Sequence, residues 1–308
     1  MLEIKDVNVH FSSAGAVGAV EDFSLTLEPR SKTVLIGESG SGKSVLLLSL
    51  LRLLPATAQI TGSVLLDGVD LFRLRESELE KIRGDRISYI PQGGGNGLNP
   101  LLKIGLQVGE PLMEHRGYPK KKAVEASIQL LRRFRLGREE AWIKAYPHML
   151  SGGMRQRAMI AMGVAAGSRV ILADEPTKGL DSDRIQRVVE CFRELREETL
   201  LCVTHDIHFA QAVGQQVVVM YAAQQLEIAL NQEFFANPLH PYSQAILRAM
   251  PENGLECSVG FAPPHDVYAS RGCRFSDRCP YKTPRCEEEV PPMLDRNGHK
   301  VRCWKYAD

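Results

Sequence analysis

Apolar and polar positions alternate over residues 2–11 and again over 23–27, the period-two signature of strands with one buried face. Gly15 and Gly18 are expected in the turn between them. Thr33-Val-Leu-Ile36 and Val170-Ile-Leu-Ala173 differ in kind, being short continuous apolar runs that suit strands buried on both faces. Further strands are predicted at 63–67, closed by the turn pair Asp67-Gly68, at Ile87–Ile90 and at Leu200–Thr204. Between them the pattern turns helical: Ser44 to Leu54, about 104 to 142, Met154 to Ala166, and a charged amphipathic stretch over 182–197. Lys120-Lys121-Lys122 reads as a solvated helix face, and Met154, Met159 and Met162 as core filler. Strands alternating with helices imply an α/β fold with a mostly parallel sheet covered on both faces. After about residue 251 periodicity fades, and Pro263-Pro264 and Pro291-Pro292 describe an irregular appendage that buries little core.

Composition narrows the class. The chain has 308 residues, enough for one large domain with an appendage or for two domains. A formal net charge of +1 gives no sign of nucleic-acid binding or attraction to acidic membranes. No apolar run reaches the roughly eighteen residues that would span a bilayer, and the N-terminus lacks the basic-apolar pattern of a signal peptide. A cytosolic protein is expected. Of seven cysteines, Cys191 and Cys202 sit in apolar runs and read as small buried hydrophobes. The other five lie beyond residue 256, where a cytosolic chain would not keep disulfides.

The first chemical motif is Gly37-Glu-Ser-Gly-Ser-Gly-Lys-Ser44, set between the 33–36 strand and the helix that follows. Its glycines let successive N–H groups turn inward toward phosphate oxygens, and the helix N-terminus adds a positive dipole end. Lys43 can reach the β- and γ-phosphates, and the Ser44 hydroxyl can ligate Mg²⁺. With Gly near ~7% of residues the bare pattern arises by accident in about 1% of chains this long, and the strand and helix flanks lower that further. The second motif is Asp174-Glu175, two carboxylates at the end of an apolar strand, where a parallel sheet opens its ligand crevice. Asp174 is suited to hold Mg²⁺ and Glu175 to polarise a water attacking the γ-phosphate; the plain alternative is an acidic helix cap. The third is Leu150-Ser151-Gly152-Gly153-Met154, a helix start expected to leave bare N–H groups and an outward hydroxyl, hence a second anion-binding end.

Taken together these segments resemble the ABC ATPases, with the phosphate loop at 37–44, the carboxylate strand at 170–175 and the signature motif at 150–154. Gln92 stands where the family's Q-loop glutamine belongs, Gly179-Leu-Asp181 resembles its D-loop, and Val203-Thr-His205-Asp206 its switch histidine. The resemblance implies a RecA-like P-loop core, an antiparallel β subdomain and an α-helical subdomain at about 99–168, within a nucleotide-binding domain at 1–251. It also implies two cassettes paired head to tail, each ATP lying between one subunit's phosphate loop and the other's signature motif. Lys43, Glu175 and His205 would then be catalytic. Gly37, Glu38, Ser39, Gly40, Ser41, Gly42, Lys43, Ser44, Gln92, Asp174, Ser151, Gly152 and Gly153 would bind nucleotide, with Ser44, Gln92 and Asp174 around Mg²⁺. Phe11 would stack on adenine; the plain alternative is a core residue ending its strand.

Tyr146-Pro-His-Met-Leu-Ser-Gly-Gly-Met-Arg-Gln-Arg157, Asn237-Pro-Leu-His-Pro-Tyr242 and the ending with Cys273, Cys279, Cys286 and Cys303 narrow the resemblance to ATPase subunits of oligopeptide, dipeptide and nickel importers. It implies work at the cytoplasmic face of the membrane with a second, non-identical ATPase, two permease subunits and, indirectly, a solute-binding protein. Four thiolates suit tetrahedral zinc or an iron–sulfur cluster. The resembling importers carry a 4Fe–4S cluster in this tail, at 252–308, so the likeness favours the cluster; Cys257, His265 and His299 read as bystanders. Four departures from the family pattern stand out: glycines at 93–95 after Gln92, Arg30-Ser31-Lys32 before the first motif strand, Lys178-Gly179 in the D-loop, and Met149. Rival readings are a soluble ABC ATPase acting on nucleic acid or ribosomes, and a degenerate cassette that binds ATP without splitting it.

Overall fold

The computed structural model describes residues 1–12, 17–93, 97–256, 260–263, 268 and 271–307. Gly15, Gly94, Gly95, Asn96, Cys257 and His265 lie outside the described residues. In chain order the elements are β1 (Leu2–Phe11), β2 (Val17–Leu27), β3 (Lys32–Ile36), α1 (Lys43–Leu50), β4 (Ala58–Leu66), β5 (Val69–Asp70), α2 (Glu76–Leu79) and β6 (Ile87–Ile90). There follow α3 (Ile104–Arg116), α4 (Lys120–Arg133), α5 (Glu139–Trp142), α6 (Gly152–Val164), β7 (Val170–Asp174), α7 (Ser182–Arg193) and β8 (Thr199–Thr204). The chain closes with α8 (Ile207–Val213), β9 (Gln216–Tyr221), β10 (Gln224–Leu230), α9 (Asn231–Ala236), α10 (Pro241–Arg248), α11 (Arg285–Glu288), β11 (Leu294–Arg296) and β12 (His299–Val301). Two compact units divide these elements: Met1–Thr26, Thr33–Phe72 and His205–Asp308 form one, Leu27–Lys32 and Arg73–Thr204 the other.

In the first unit the strand order is β5-β4-β1-β2-β10-β9-β3. β1 and β4 pair antiparallel, and their register slips between Lys5 and Asn8. That bulge shows in the burial pattern of β1. Leu2 and Ile4 are buried, then the alternation jumps by one to Val7 and Val9, because the extra residue turns the following side chains back to the core face. Gly62, opposite, has φ +94°, and a Cβ there would lie 2.5 Å from the Asp6 carbonyl oxygen. β3 runs parallel to β9, and Val217, Val218 and Val219 are fully buried. β3 therefore delivers the chain from a fixed, doubly covered strand straight into the phosphate loop.

In the second unit β6, β7 and β8 are parallel neighbours, and every residue of β7 and β8 is buried. Helices α3, α4 and α6 pack around Leu112, Ala123 and Ala165. Gly109 allows the close crossing of α3 on α4, since a Cβ there would lie 2.7 Å from the Ala123 carbonyl oxygen.

Several expectations are corrected. Gly18 belongs to β2 and not to a turn. The helical pattern over 104–142 is three helices, interrupted where Gly117 takes a left-handed conformation before Pro119 and again at Arg135, Gly137 and Arg138, all at positive φ. α7 stops at Arg193, where Lys32 donates to the Phe192 and Arg193 carbonyls at 2.8 and 3.2 Å. The unusual Arg30-Ser31-Lys32 thus supplies a cation to a helix C-terminus. The C-terminal appendage buries more than its composition suggested: Phe275 is 1% exposed and Val301 0%. The hairpin of β11 and β12 joins the sheet through antiparallel pairing of β12 with β10. Lys120, Lys121 and Lys122 are exposed, as the patterning predicts, but of the three methionines read as core filler only Met159 is buried, Met154 and Met162 being half-buried.

Candidate functional site

The first unit holds the phosphate loop. Gly37, Gly40 and Gly42 all have positive φ, and a Cβ at Gly37 or Gly42 would lie 2.0 Å from the carbonyl oxygens of Met220 and Ala19 respectively. Two positions therefore require glycine because another strand's backbone passes against them. Gly42 caps α1 without a side-chain bond and the first turn carries no acidic residue, so that helix end stays electropositive. Lys43 is 5% exposed, and its ammonium donates to the carbonyls of Gly37 and Glu38, each at 2.8 Å, and to Ser41 Oγ at 3.3 Å. Ser39 and Gly40 are exposed at the crest and Ser44 is half-buried. Glu38 and His205 line one pocket of about 500 Å³, together with Tyr242 and Arg278. His205 is exposed there, and Asp206 beside it caps α8 by accepting from the Phe209 N–H at 3.0 Å. Phe11 ends β1 half-buried, paired with Ala58.

The second unit holds the carboxylates. Asp174 and Glu175 lie at the C-terminal end of β7, 3% and 8% exposed, and Gln92 stands exposed two residues beyond β6, its parallel neighbour. These three residues therefore lie at or just beyond the C-terminal ends of two neighbouring parallel strands. The Tyr89 hydroxyl donates to Asp174 Oδ2 at 3.2 Å, and burial together with that carboxylate pushes the Tyr89 phenol well above its ordinary range. Glu175 is left-handed at φ +46°, held by its N–H donating to the Val203 carbonyl at 2.8 Å. A non-glycine residue in that region carries strain, which here fixes the direction of a buried carboxylate.

Ser151 is exposed and caps α6, its Oγ accepting from the Met154 N–H at 3.3 Å. A Cβ at Gly152 would make only one ordinary van der Waals contact, with Leu180 Cδ2 at 3.9 Å. Gly153 is buried against the aliphatic part of Arg184. Arg157, one turn along, donates to the Gly153 carbonyl at 3.3 Å and to the Arg135 carbonyl at 3.0 Å, tying down the first turn of α6. Gly179 in the D-loop has φ +75° with nothing near it, and Met149 is 56% exposed.

The C-terminal cysteines converge. Cys273, Cys279, Cys286 and Cys303 all line one cavity of about 260 Å³, bounded also by His240 and Phe275. Burial pushes the Cys273 thiol up to about 11 and raises those of Cys279 and Cys303. Among the described residues no three His, Cys, Asp or Glu side chains meet closely enough to hold a single ion. His299 serves the fold: its Nε2 lies 2.6 Å from Glu227 Oε1, and this fully buried carboxylate also accepts from the N–H groups of Leu239 and His240, each at 2.8 Å. Glu227 thereby holds the Asn237–Tyr242 segment, whose Tyr242 hydroxyl accepts from the Glu38 N–H at 2.9 Å. Sequence reasoning missed Glu227, Tyr242 and Arg278. The one available signal was that Arg278 and the Asn237–Tyr242 run sit inside segments already singled out.

Comparison with known proteins identifies the family and the fold. The ABC transporter family model matches residues 20–178, and the model of the oligopeptide/dipeptide transporter C-terminal region matches residues 226–286. The chain is 36% identical to the oligopeptide transport ATP-binding protein of Haemophilus influenzae, over 100% of this chain and 98% of that one. It is 35% identical to the oligopeptide transport ATP-binding protein of Escherichia coli, over 99% and 93% respectively. Among solved structures, an ATP-binding cassette determined as a dimer in a post-hydrolysis state bound to ADP and Pi superposes with a TM-score of 0.67 at 28% identity, covering 75% of this chain and 99% of that one. The fold is that of an ABC ATPase cassette, and the chain belongs to the oligopeptide/dipeptide family of ABC transporter ATP-binding proteins.

Proposed function

We propose that this chain is the ATP-hydrolysing subunit that energises import of peptides across the cytoplasmic membrane. The observation that carries the reading is a complete set of ATPase groups on well-supported elements, in a chain whose relatives are named for oligopeptide transport over nearly its whole length. In this reading residues 1–251 are the nucleotide-binding domain, with a helical subdomain at about 99–168, and 252–308 an extension. The loop at 37–44 cradles the phosphates, with Lys43 neutralising the β- and γ-oxygens and Ser44, Gln92 and Asp174 serving Mg²⁺. Glu175 polarises the attacking water, His205 meets the γ-phosphate, and Phe11 stacks on adenine. Ser151, Gly152 and Gly153 close over the ATP of a second, non-identical cassette, and the pair works beneath two permease subunits supplied by a solute-binding protein. No helix among the described residues is long and apolar enough to cross a membrane, which suits a peripheral subunit. Glu175→Gln is expected to bind ATP, trap the closed pair and lose about 10²-fold or more in turnover. Retained turnover would remove Glu175 from its role.

We also propose that the four thiols of the C-terminal segment hold a 4Fe–4S cluster in preference to zinc. The four thiols line one cavity, and soft thiolates suit either a zinc or an iron–sulfur centre. The likeness to importers that carry a cluster in this tail favours the cluster, which would crosslink a segment otherwise rich in turns. Iron analysis and absorbance near 400 nm (an approximate band position) on anaerobically purified protein test this. Stoichiometric zinc without iron would exclude the cluster.

A further inference from the structure

The segment between the first two cavity cysteines, Cys273-Arg-Phe-Ser-Asp-Arg-Cys279, grips the support of the phosphate loop at two points. Arg278 Nη1 donates to both carboxylate oxygens of Glu38, at 2.9 and 3.2 Å, and to the Tyr221 hydroxyl at 3.3 Å. The Arg278 side chain is 10% exposed and that of Glu38 35%, so this pair is partly shielded from solvent. Arg274 pairs with Glu21 at 2.5 Å and donates to the Ala222 carbonyl, and the adjacent Ala223 N–H donates to the Ser41 carbonyl at 3.2 Å. Phe275, between the two arginines, packs its ring against Tyr221 and Tyr242, with centroids 5.4 Å away in each case.

Glu38 is the loop residue on which these contacts meet. Its N–H is taken by Tyr242, its carbonyl by Lys43 and by the Ser41 N–H, and its carboxylate by Arg278. We propose that Arg278 is a positioning residue for the phosphate loop: it holds Glu38, and with it the loop backbone, in the shape that receives phosphate, so that the cysteine-bearing segment sets nucleotide affinity. Two physical effects act together. A clamped carboxylate fixes the loop before binding, which lowers the ordering cost of taking up the ligand. The guanidinium also neutralises an acidic side chain standing at the mouth of an anion site, where a lone carboxylate would repel the incoming phosphates.

The inference rests on the reading of residues 37–44 as the nucleotide site, and the test separates the two. Equilibrium binding of Mg·ATP to the full-length chain is measured for wild type, Arg278→Ala, Arg278→Lys, Glu38→Gln and Arg278→Ala with Glu38→Gln, with thermal unfolding of each. Loss of a charge-assisted bond predicts about tenfold weaker binding for Arg278→Ala, partly recovered by Arg278→Lys. Because Arg278 acts through Glu38, Arg278→Ala in the Glu38→Gln background is expected to change affinity less than about twofold. Should Arg278→Ala fail to fold, Arg278→Lys takes its place in the cycle with a smaller expected loss. A lowered unfolding temperature with wild-type affinity overturns the proposal and leaves Arg278 a purely structural residue. An equal affinity loss in both backgrounds overturns it too, since Glu38 would then not be the intermediary. Wild-type protein that binds no Mg·ATP would defeat the nucleotide-site reading itself.

Discussion

Two helices in this chain begin at glycine-rich turns that look alike in sequence, yet their own surroundings treat them differently. At the start of α1, Gly37 and Gly42 are forced: another strand's carbonyl lies 2.0 Å from where each Cβ would stand, and both have positive φ. The helix end is left without a side-chain cap. At the start of α6, Ser151 Oγ accepts from the Met154 N–H, and a Cβ at Gly152 would meet only Leu180 Cδ2, at 3.9 Å. Nothing in that unit demands a glycine at 152. The first turn is shaped by the chain that carries it. The second carries no such constraint from its own unit, and it is the turn proposed to close over a partner's nucleotide.

The contrast can be broken most sharply at Gly42. Alanine there meets a carbonyl and a left-handed backbone, so Mg·ATP affinity is expected to fall by about 10²-fold or more. Isothermal titration checks it, and near-normal affinity would mean the loop relaxes freely. Gly152→Ala should behave in the opposite way. Replacing glycine in the first turn of an exposed helix end is expected to leave stability unchanged or raised by up to about 1 kcal/mol, with Mg·ATP binding to the isolated chain unaffected. If Gly152 closes over a partner's nucleotide as proposed, ATPase activity of the assembled pair should nevertheless drop about tenfold, because the methyl group would meet the phosphate. Full activity would show that the opening at Gly152 serves no partner. The smallest effect is expected for Ser151→Ala, which removes one long cap bond and should cost about 0.5–1 kcal/mol in a denaturant melt. No change would mean the cap is idle.

The difference between these turns also shows what could be read in advance. Strand β1, the buried strands β3 and β7, and the motif at 37–44 were legible because they depend on local periodicity and on glycines at fixed spacing, whereas the bulge in β1 emerged only from its pairing with β4. The helical stretch over 104–142 was legible in type but not in its breaks, since Gly117, Arg135 and Arg138 stop helices only through backbone conformations that packing selects. The C-terminal segment was read as poorly packed because its stabilising groups are not periodic. Phe275 finds Tyr221 and Tyr242 across more than thirty residues of chain, and His299 finds Glu227 across 72. No local pattern marks such pairs.

Sequence by itself determined that this chain carries a phosphate-loop pattern at 37–44, that Asp174 and Glu175 end an apolar strand, and that it belongs with the ABC ATPases. Those properties are carried by residue types at short spacings, and short spacings survive in a linear reading. Only the tertiary structure decided that the four cysteines share a cavity, that Glu175 is held in a strained backbone, and that Arg278 clamps Glu38. Each of these depends on elements far apart in the chain meeting at atomic distance. Hydrogen bonds and close contacts act over only a few ångströms, so their partners are chosen by the fold and not by order along the chain.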